Sequence, residues 1–233
     1  MRVLDLAGDD GGDSRCLIVL LPGLGDSPED YRANGFDTQL RAAGVRAHVT
    51  AADAHFGYYR ERVFVDRFEE DVLAPARERY DRTWLVGISL GGMGALAATA
   101  AKPDAVDGLV LIAPYLGSGA ILDEIEAAGG PLPWRSHAPP IPERFWDGDE
   151  DTFFRATWTF AAKPERADGS PVEVHLGYGR DDRFAKAQAM LASALPERSV
   201  RVAAGGHRWP VWKDLFHAFV REGFLQRSCN RDP

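Results

Sequence analysis

Apolar runs stopped by turn residues set the rhythm of this chain. Leu17-Ile18-Val19-Leu20-Leu21 ends at Pro22-Gly23, and Leu109-Val110-Leu111-Ile112-Ala113 ends at Pro114. Trp84-Leu85-Val86-Gly87-Ile88 has the same character. A strand with one wet face alternates apolar and polar residues, so runs this continuous predict strands covered on both faces. Val172 to Leu176, ended by Gly177, is a fourth strand candidate. Val45 to Ala51 is weaker, and Ser199 to Val202 is short and nearer an edge.

Helical spacing fills the intervals. Val63, Phe64, Phe68, Val72 and Leu73 lie at helical spacing within Arg62 to Tyr80, where Pro75 predicts a kink or an early end. Ser89 to Ala101 is rich in alanine and glycine, which lets a helix approach a sheet closely. Phe184 to Leu195 is amphipathic and stops before Pro196, and Val211 to Leu225 reads as a closing helix. Strands alternating with helices predict an α/β fold over residues 1–233, a mostly parallel sheet with helices on both faces. One stretch breaks the pattern. Gly129 to Pro142 carries five prolines, with Trp134 and His137, and the aromatic-rich Phe145 to Phe160 follows. A long excursion of this kind predicts a short cap-like insertion at about 117–165 that walls a binding site, the alternative being a surface loop packed by its aromatics.

Composition narrows the partners. The 233 residues are 45% apolar and 27% charged, enough for one domain that covers a sheet on both sides. A net charge of −8 with scattered cations argues against nucleic acid as a partner. Cys16 reads as a small core residue and Cys229 as part of a polar tail. Nothing in their spacing suggests a disulfide framework or a metal pair, so a reduced, cytoplasmic setting is the expectation. The start, Met1 to Leu6, lacks the apolar stretch of a signal peptide, and Cys16 to Pro22 is too short to span a bilayer.

The chemistry begins at Gly87-Ile88-Ser89-Leu90-Gly91, a Gly-x-Ser-x-Gly turn between a buried strand and a helix. Such an elbow projects its serine above the sheet, and the flanking glycines relieve the crowding of the turn. A serine hydroxyl needs a general base, and the base needs an orienting acid. The strand Val172 to Leu176 runs into Gly177-Tyr178-Gly179-Arg180-Asp181-Asp182. Asp182 is the favoured acid; Asp181 is the alternative, and Asp182 could also serve only as a helix cap. The strand Ser199 to Val202 runs into Gly205-Gly206-His207, which makes His207 the candidate base. His175 and His48 lie within strands and His217 within the last helix, while His55 sits in a loop that could line a pocket. The backbone N–H of Leu90 and that of Leu24, in Pro22-Gly23-Leu24-Gly25-Asp26, are the candidate oxyanion donors. Tyr115, Trp134, Trp146, Trp158 and Trp209 are pocket candidates, with core packing the favoured alternative for each.

With those parts placed, the chain resembles the α/β-hydrolase superfamily of serine hydrolases over roughly residues 15–225. Leu21-Pro22-Gly23-Leu24-Gly25-Asp26-Ser27 is similar to the oxyanion loop of small carboxylesterases, thioesterases and lysophospholipases, which usually carry His-Gly in place of Pro22-Gly23. Gly87-Ile88-Ser89-Leu90-Gly91-Gly92 resembles their nucleophile motif without the glutamine often found after the serine, and Gly205 to Trp212 resembles a histidine loop of bacterial esterases. The resemblance implies hydrolysis of a small-molecule ester or thioester through an acyl-enzyme, with no cofactor and no metal. Two rivals stand beside it: acyl transfer or C–C or amide cleavage on the same triad, and a non-catalytic ligand binder on the same fold. Oligomeric state is not legible from the sequence.

Overall fold

Successive residues of a strand point to opposite faces, so a strand apolar at every position needs a helix layer on each side. The computed structural model, which describes residues 1–6 and 14–231, has this architecture. Among the described residues the strands are β1 (Val3–Asp5), β2 (Cys16–Leu21), β3 (His48–Ala52), β4 (Arg82–Ile88), β5 (Gly108–Ile112), β6 (Glu173–Gly179) and β7 (Val200–Ala203). They form one sheet in the order β1-β3-β2-β4-β5-β6-β7, parallel throughout except for the edge strand β1. The helices are α1 (Pro28–Ala33), α2 (Phe36–Ala42), α3 (Phe56–Arg60), α4 (Phe64–Phe68), α5 (Ala74–Arg79), α6 (Leu90–Ala101), α7 (Ala120–Ala127), α8 (Pro131–Arg135), α9 (Glu150–Ala162), α10 (Ala185–Ala192), α11 (Trp209–Arg221) and α12 (Phe224–Cys229). None is long and apolar enough to cross a membrane.

Strand alternation divides the interior into two cores. Ile18, Leu20, Trp84, Val86, Ile88, Val110 and Ile112 join Tyr31, Phe36, Phe216 and Phe224 on the face covered by α1, α2, α11 and α12. Their neighbours Leu17, Val19, Leu21, Leu85, Leu109, Leu111 and Leu176 join Phe64, Phe68, Leu96, Ile125 and Trp158 on the other face. The pairings Leu21 with Gly87, Ile88 with Ile112, and Gly179 with Ala203 bring the carboxyl ends of the central strands to one level. Loops leaving those ends are therefore neighbours in space.

Several elements differ from their sequence-based expectation, each for a physical reason. Pro75 does not end its helix. Glu69–Leu73 widens into a π-turn between α4 and α5, just before the proline whose missing N–H leaves a carbonyl unpaired. The closing helix is two helices, because Gly223 at φ 75° takes the left-handed conformation that terminates α11. The strand β1 is only three residues long and carried no usable pattern. The two cysteines are not separate: Cys16, opening β2, and Cys229, closing α12, form a disulfide across 213 residues of sequence. The tail is amphipathic rather than simply polar, and it folds back onto the sheet with Phe224, Leu225 and Cys229 buried.

Residues 120–162 form α7, α8, a short 3₁₀ turn and α9. Glu124 on α7 ties them together, accepting from Arg155 of α9 at 2.8 and 2.7 Å and from the Trp134 indole of α8 at 2.8 Å. The Arg155 fork, and after it the Trp134 indole, hold the Glu124 carboxyl at about 2, below its ordinary 4.5. A depressed carboxylate contributes stability that is present above 4.5 and lost as pH falls toward about 2. The cluster is partly exposed, so the effect is local rather than global. Amide exchange followed across this acid range should accelerate first within residues 120–162, and Glu124→Gln should show that acceleration at neutral pH. Unaltered protection of these helices in the variant would contradict the tie.

Candidate active site

The turn from β4 into α6 is where the backbone is most constrained. Ser89 has φ 52° and ψ −113°, a conformation that a residue with a side chain rarely adopts. Four backbone hydrogen bonds hold it there, two of them from Gly92 N and Met93 N of its own helix to Ser89 O at 3.0 and 3.2 Å. Ser89 N donates to Ile112 O at 3.0 Å, and Tyr115 N donates to Ser89 O at 3.0 Å. The glycines on either side are required by contact rather than by flexibility. A Cβ at Gly91 would lie 2.0 Å from Leu21 O, and one at Gly87 would lie 2.4 Å from Gly91 O. The helix therefore starts against the end of β2, with the Ser89 hydroxyl over the carboxyl edge of the sheet.

The loops after β6 and β7 bring two partners to this serine. His207 Nε2 lies 2.8 Å from Ser89 Oγ, and His207 Nδ1 lies 2.7 Å from Asp182 Oδ2. The Asp182 side chain is fully buried, and its second oxygen accepts from Phe184 N at 2.8 Å. Both carboxylate oxygens are thus committed to hydrogen bonds within the chain. Asp181 points elsewhere: it is exposed, and its Oδ2 accepts from Gly205 N at 3.2 Å, steadying the histidine loop. Close approach makes glycine necessary at Gly179, where a Cβ would lie 2.2 Å from Gly205 O. The edges of Phe184 and Trp212 meet the imidazole at 5.2 and 5.0 Å, with interplanar angles of 89° and 84°. Sequence reasoning passed over both rings. Their only signal was position, one just after the acid and one five residues after the histidine.

The loop after β2 lies over the elbow. Asp26 N donates to Gly23 O at 3.1 Å and closes a turn with Gly25 at φ 85° in its third position. A Cβ at Gly23 would stand 3.5 Å from Ser89 Cβ and 3.6 Å from Ile88 O, so the turn lies against the elbow. The Leu24 side chain is exposed, outside the core. Leu90 is the first residue of α6, and its N–H falls in the helical turn that has no intrahelical acceptor.

The pocket candidates separate into distinct surroundings. Tyr115 lies beside the site, its backbone bonded to Ser89 and its ring against Phe154 at 5.7 Å and Phe184 at 5.2 Å. Trp209 turns its indole N–H to Asp26 Oδ1 at 3.0 Å and packs on Tyr31, Phe36 and Trp212. Trp134 is buried among the helices of 120–162, bonded to Glu124. Trp146 is buried there too, and Trp158 donates to Leu116 O at 2.9 Å. His55 is exposed at the start of α3, where its Nδ1 accepts from Gly57 N at 3.2 Å and its ring leans on Tyr58. His175 stacks on Phe224 at 3.6 Å, on the face covered by α1, α2, α11 and α12.

The arrangement has a direct mechanical consequence. Gly91→Ala must displace either Leu21 O or the start of α6, and urea unfolding should show a loss of about 1–3 kcal/mol. A variant as stable as the parent chain would contradict the contact.

Residues 18–222 match the sequence profile of the Alpha/beta hydrolase family. Among solved structures, the chain is similar to the S-formylglutathione hydrolase FrmB of Staphylococcus aureus at a TM-score of 0.58 and 11% identity, over 90% of this chain and 80% of that one. It is also similar to Est1E of Butyrivibrio proteoclasticus with ferulic acid bound, at 0.57 and 15% identity over 97% and 95% of the two chains. A third similar structure is FphF, a fluorophosphonate-binding serine hydrolase of Staphylococcus aureus, at 0.55 and 11% identity over 94% and 90%. At these identities the likeness is one of fold. No curated protein matches this sequence.

Proposed function

The chain belongs to the alpha/beta hydrolase family, and from that premise we propose that it is a serine hydrolase cleaving a carboxylic ester or thioester through an acyl-enzyme. The observation that carries this reading is the pair of hydrogen bonds linking Asp182 to His207 and His207 to Ser89, at 2.7 and 2.8 Å. Similar folds in structures named as a serine hydrolase and an S-formylglutathione hydrolase lend it support.

In this mechanism His207 Nε2 takes the Ser89 proton as Oγ attacks the acyl carbon. Asp182 holds the ring so that Nε2 faces Oγ, and it stabilises the imidazolium that forms. The N–H groups of Leu24 and Leu90 receive the oxyanion. The imidazolium then protonates the departing oxygen or sulfur, leaving the acyl group on Oγ. Water repeats the sequence: His207 removes its proton, the hydroxide oxygen attacks the acyl carbon, and Ser89 leaves with the proton returned. Tyr115 and Phe184 wall the acyl site from below, and the segment 117–165 serves as a cap-like insertion of the single domain that brings Phe154 onto Tyr115. Est1E holds ferulic acid, and an aromatic wall of this kind in the present chain suits an apolar acyl group.

A p-nitrophenyl ester series of increasing chain length tests the reading and ranks acyl groups. Ser89→Ala should lower kcat by about 10⁴-fold or more and abolish fluorophosphonate labelling. Activity within tenfold of wild type in that variant, on the order of an unperturbed enzyme, would overturn the assignment. The two aspartates give an internal control. Asp182→Asn should lower kcat by about 10⁴-fold through loss of the required tautomer, whereas Asp181→Asn should act only through loop stability.

A further inference from the structure

The turn proposed to bind the oxyanion is short and glycine-rich, and Leu24 and Gly25 at its tip are exposed. Gly23 and Gly25 each add backbone freedom, and the Leu24 side chain is 61% exposed, so it anchors nothing. A donor that must already point at the oxyanion position needs an external hold, since preorganisation is what makes such donors effective.

Asp26 supplies a hold on one side. Its half-buried carboxylate folds back over its own turn, with Oδ2 only 2.7 Å from where a Cβ on Gly23 would stand. Its Oδ1 accepts from Trp209 Nε1 at 3.0 Å. Desolvation pushes the Asp26 carboxyl above its ordinary value and Asp30 adds to this, while the Trp209 bond and the charge of His207 pull it down. The indole bond thus offsets part of what burial costs. Trp209 also reaches the other end of the same loop. Its ring meets Tyr31 edge-on at 5.7 Å, and the Tyr31 hydroxyl donates to Leu21 O at 2.6 Å. One indole therefore braces both the entry to the turn, at Leu21, and its exit, at Asp26. Trp209 stands two residues after His207, where α11 begins.

We propose that Asp26 and Trp209 form a clamp that fixes the oxyanion loop against the histidine loop, which makes Asp26 a positioning residue for hydrolysis. The clamp rests on the reading of Ser89 and His207 as nucleophile and base. It keeps the loop N–H groups in place relative to Ser89 while tying them to the element that carries the base. Because the effect falls on the oxyanion and not on bound ester, it belongs to kcat rather than to KM.

The test compares Asp26→Ala, Trp209→Phe, their double variant and Asp26→Asn on one p-nitrophenyl ester. Phenylalanine keeps a ring against Tyr31 but has no donor, and asparagine keeps an acceptor for the indole. Each of the first two should lower kcat by about 10- to 100-fold with little change in KM. The double variant should be no worse than the poorer single one, and Asp26→Asn should recover most of the loss. A loss confined to KM, additive losses, or an Asp26→Ala enzyme with wild-type kcat would overturn the clamp. Hydrogen exchange gives a readout that needs no turnover. Amides of residues 23–26 and 205–209 should exchange faster in Asp26→Ala and Trp209→Phe, with protection elsewhere unchanged. Unchanged exchange there would also overturn it. A wild-type protein with no Ser89-dependent turnover would sink the hydrolase reading instead, and exchange would still decide the clamp. If Asp26→Ala does not fold, Trp209→Phe carries both measurements.

Discussion

The site depends on a single backbone conformation that a serine disfavours. At φ 52° and ψ −113° the Ser89 turn stores strain on the order of 1–3 kcal/mol, and it persists because its surroundings leave it no alternative. Its N–H and C=O are both committed, to Ile112 and Tyr115. The two flanking glycines are pressed against backbone atoms on both sides. Ser89 cannot move without moving β5 or the start of α6, and these are buried parts of the sheet layers.

That constraint explains why the remaining pieces converge. A parallel sheet aligns the carboxyl ends of its strands, and here the register does so from β2 through β7. Each loop leaving that edge brings one component: the glycine turn after β2, the elbow after β4, the aspartate after β6 and the histidine after β7. None reaches far. Asp182 follows the end of β6 by three residues and His207 the end of β7 by four. Short loops on a rigid edge hold the two hydrogen bonds at 2.7 and 2.8 Å.

Much of this was legible in the sequence because it follows from local rules. Buried strands announce themselves as apolar runs, and the elbow announces itself by glycines that contact requires. The order of serine, acid and histidine along the chain then pointed to His207. Asp181 and Asp182 could not be separated that way, because adjacent side chains differ only in direction, which the turn after Gly179 decides. What escaped the sequence was long-range. Cys16 and Cys229 are 213 residues apart, and their pairing depends on α12 folding back under the sheet. Trp209 read as a pocket residue, but its indole is turned to Asp26, 183 residues away. The break at Gly223 and the π-turn before Pro75 were visible as a glycine and a proline, yet how the chain would absorb them was not.

The imidazole shows how these distant contacts reach the chemistry. Two hydrogen bonds, one at each ring nitrogen, fix a line through His207 but leave the ring free to tilt about that line. Phe184 and Trp212 remove this freedom by meeting the ring nearly at right angles. Phe184 in turn rests on Tyr115, whose backbone holds Ser89 and whose ring touches Phe154 of α9. Trp212 rests on Trp209, which is bonded to Asp26 in the turn after β2. The plane of the imidazole is therefore set by rings whose other contacts lead to the inserted helices and to the loop after β2. Hydrogen bonds alone would set the line from Asp182 through His207 to Ser89 in direction; the aromatic packing sets the imidazole in orientation, and that packing is where the two cores and the insertion meet the candidate site.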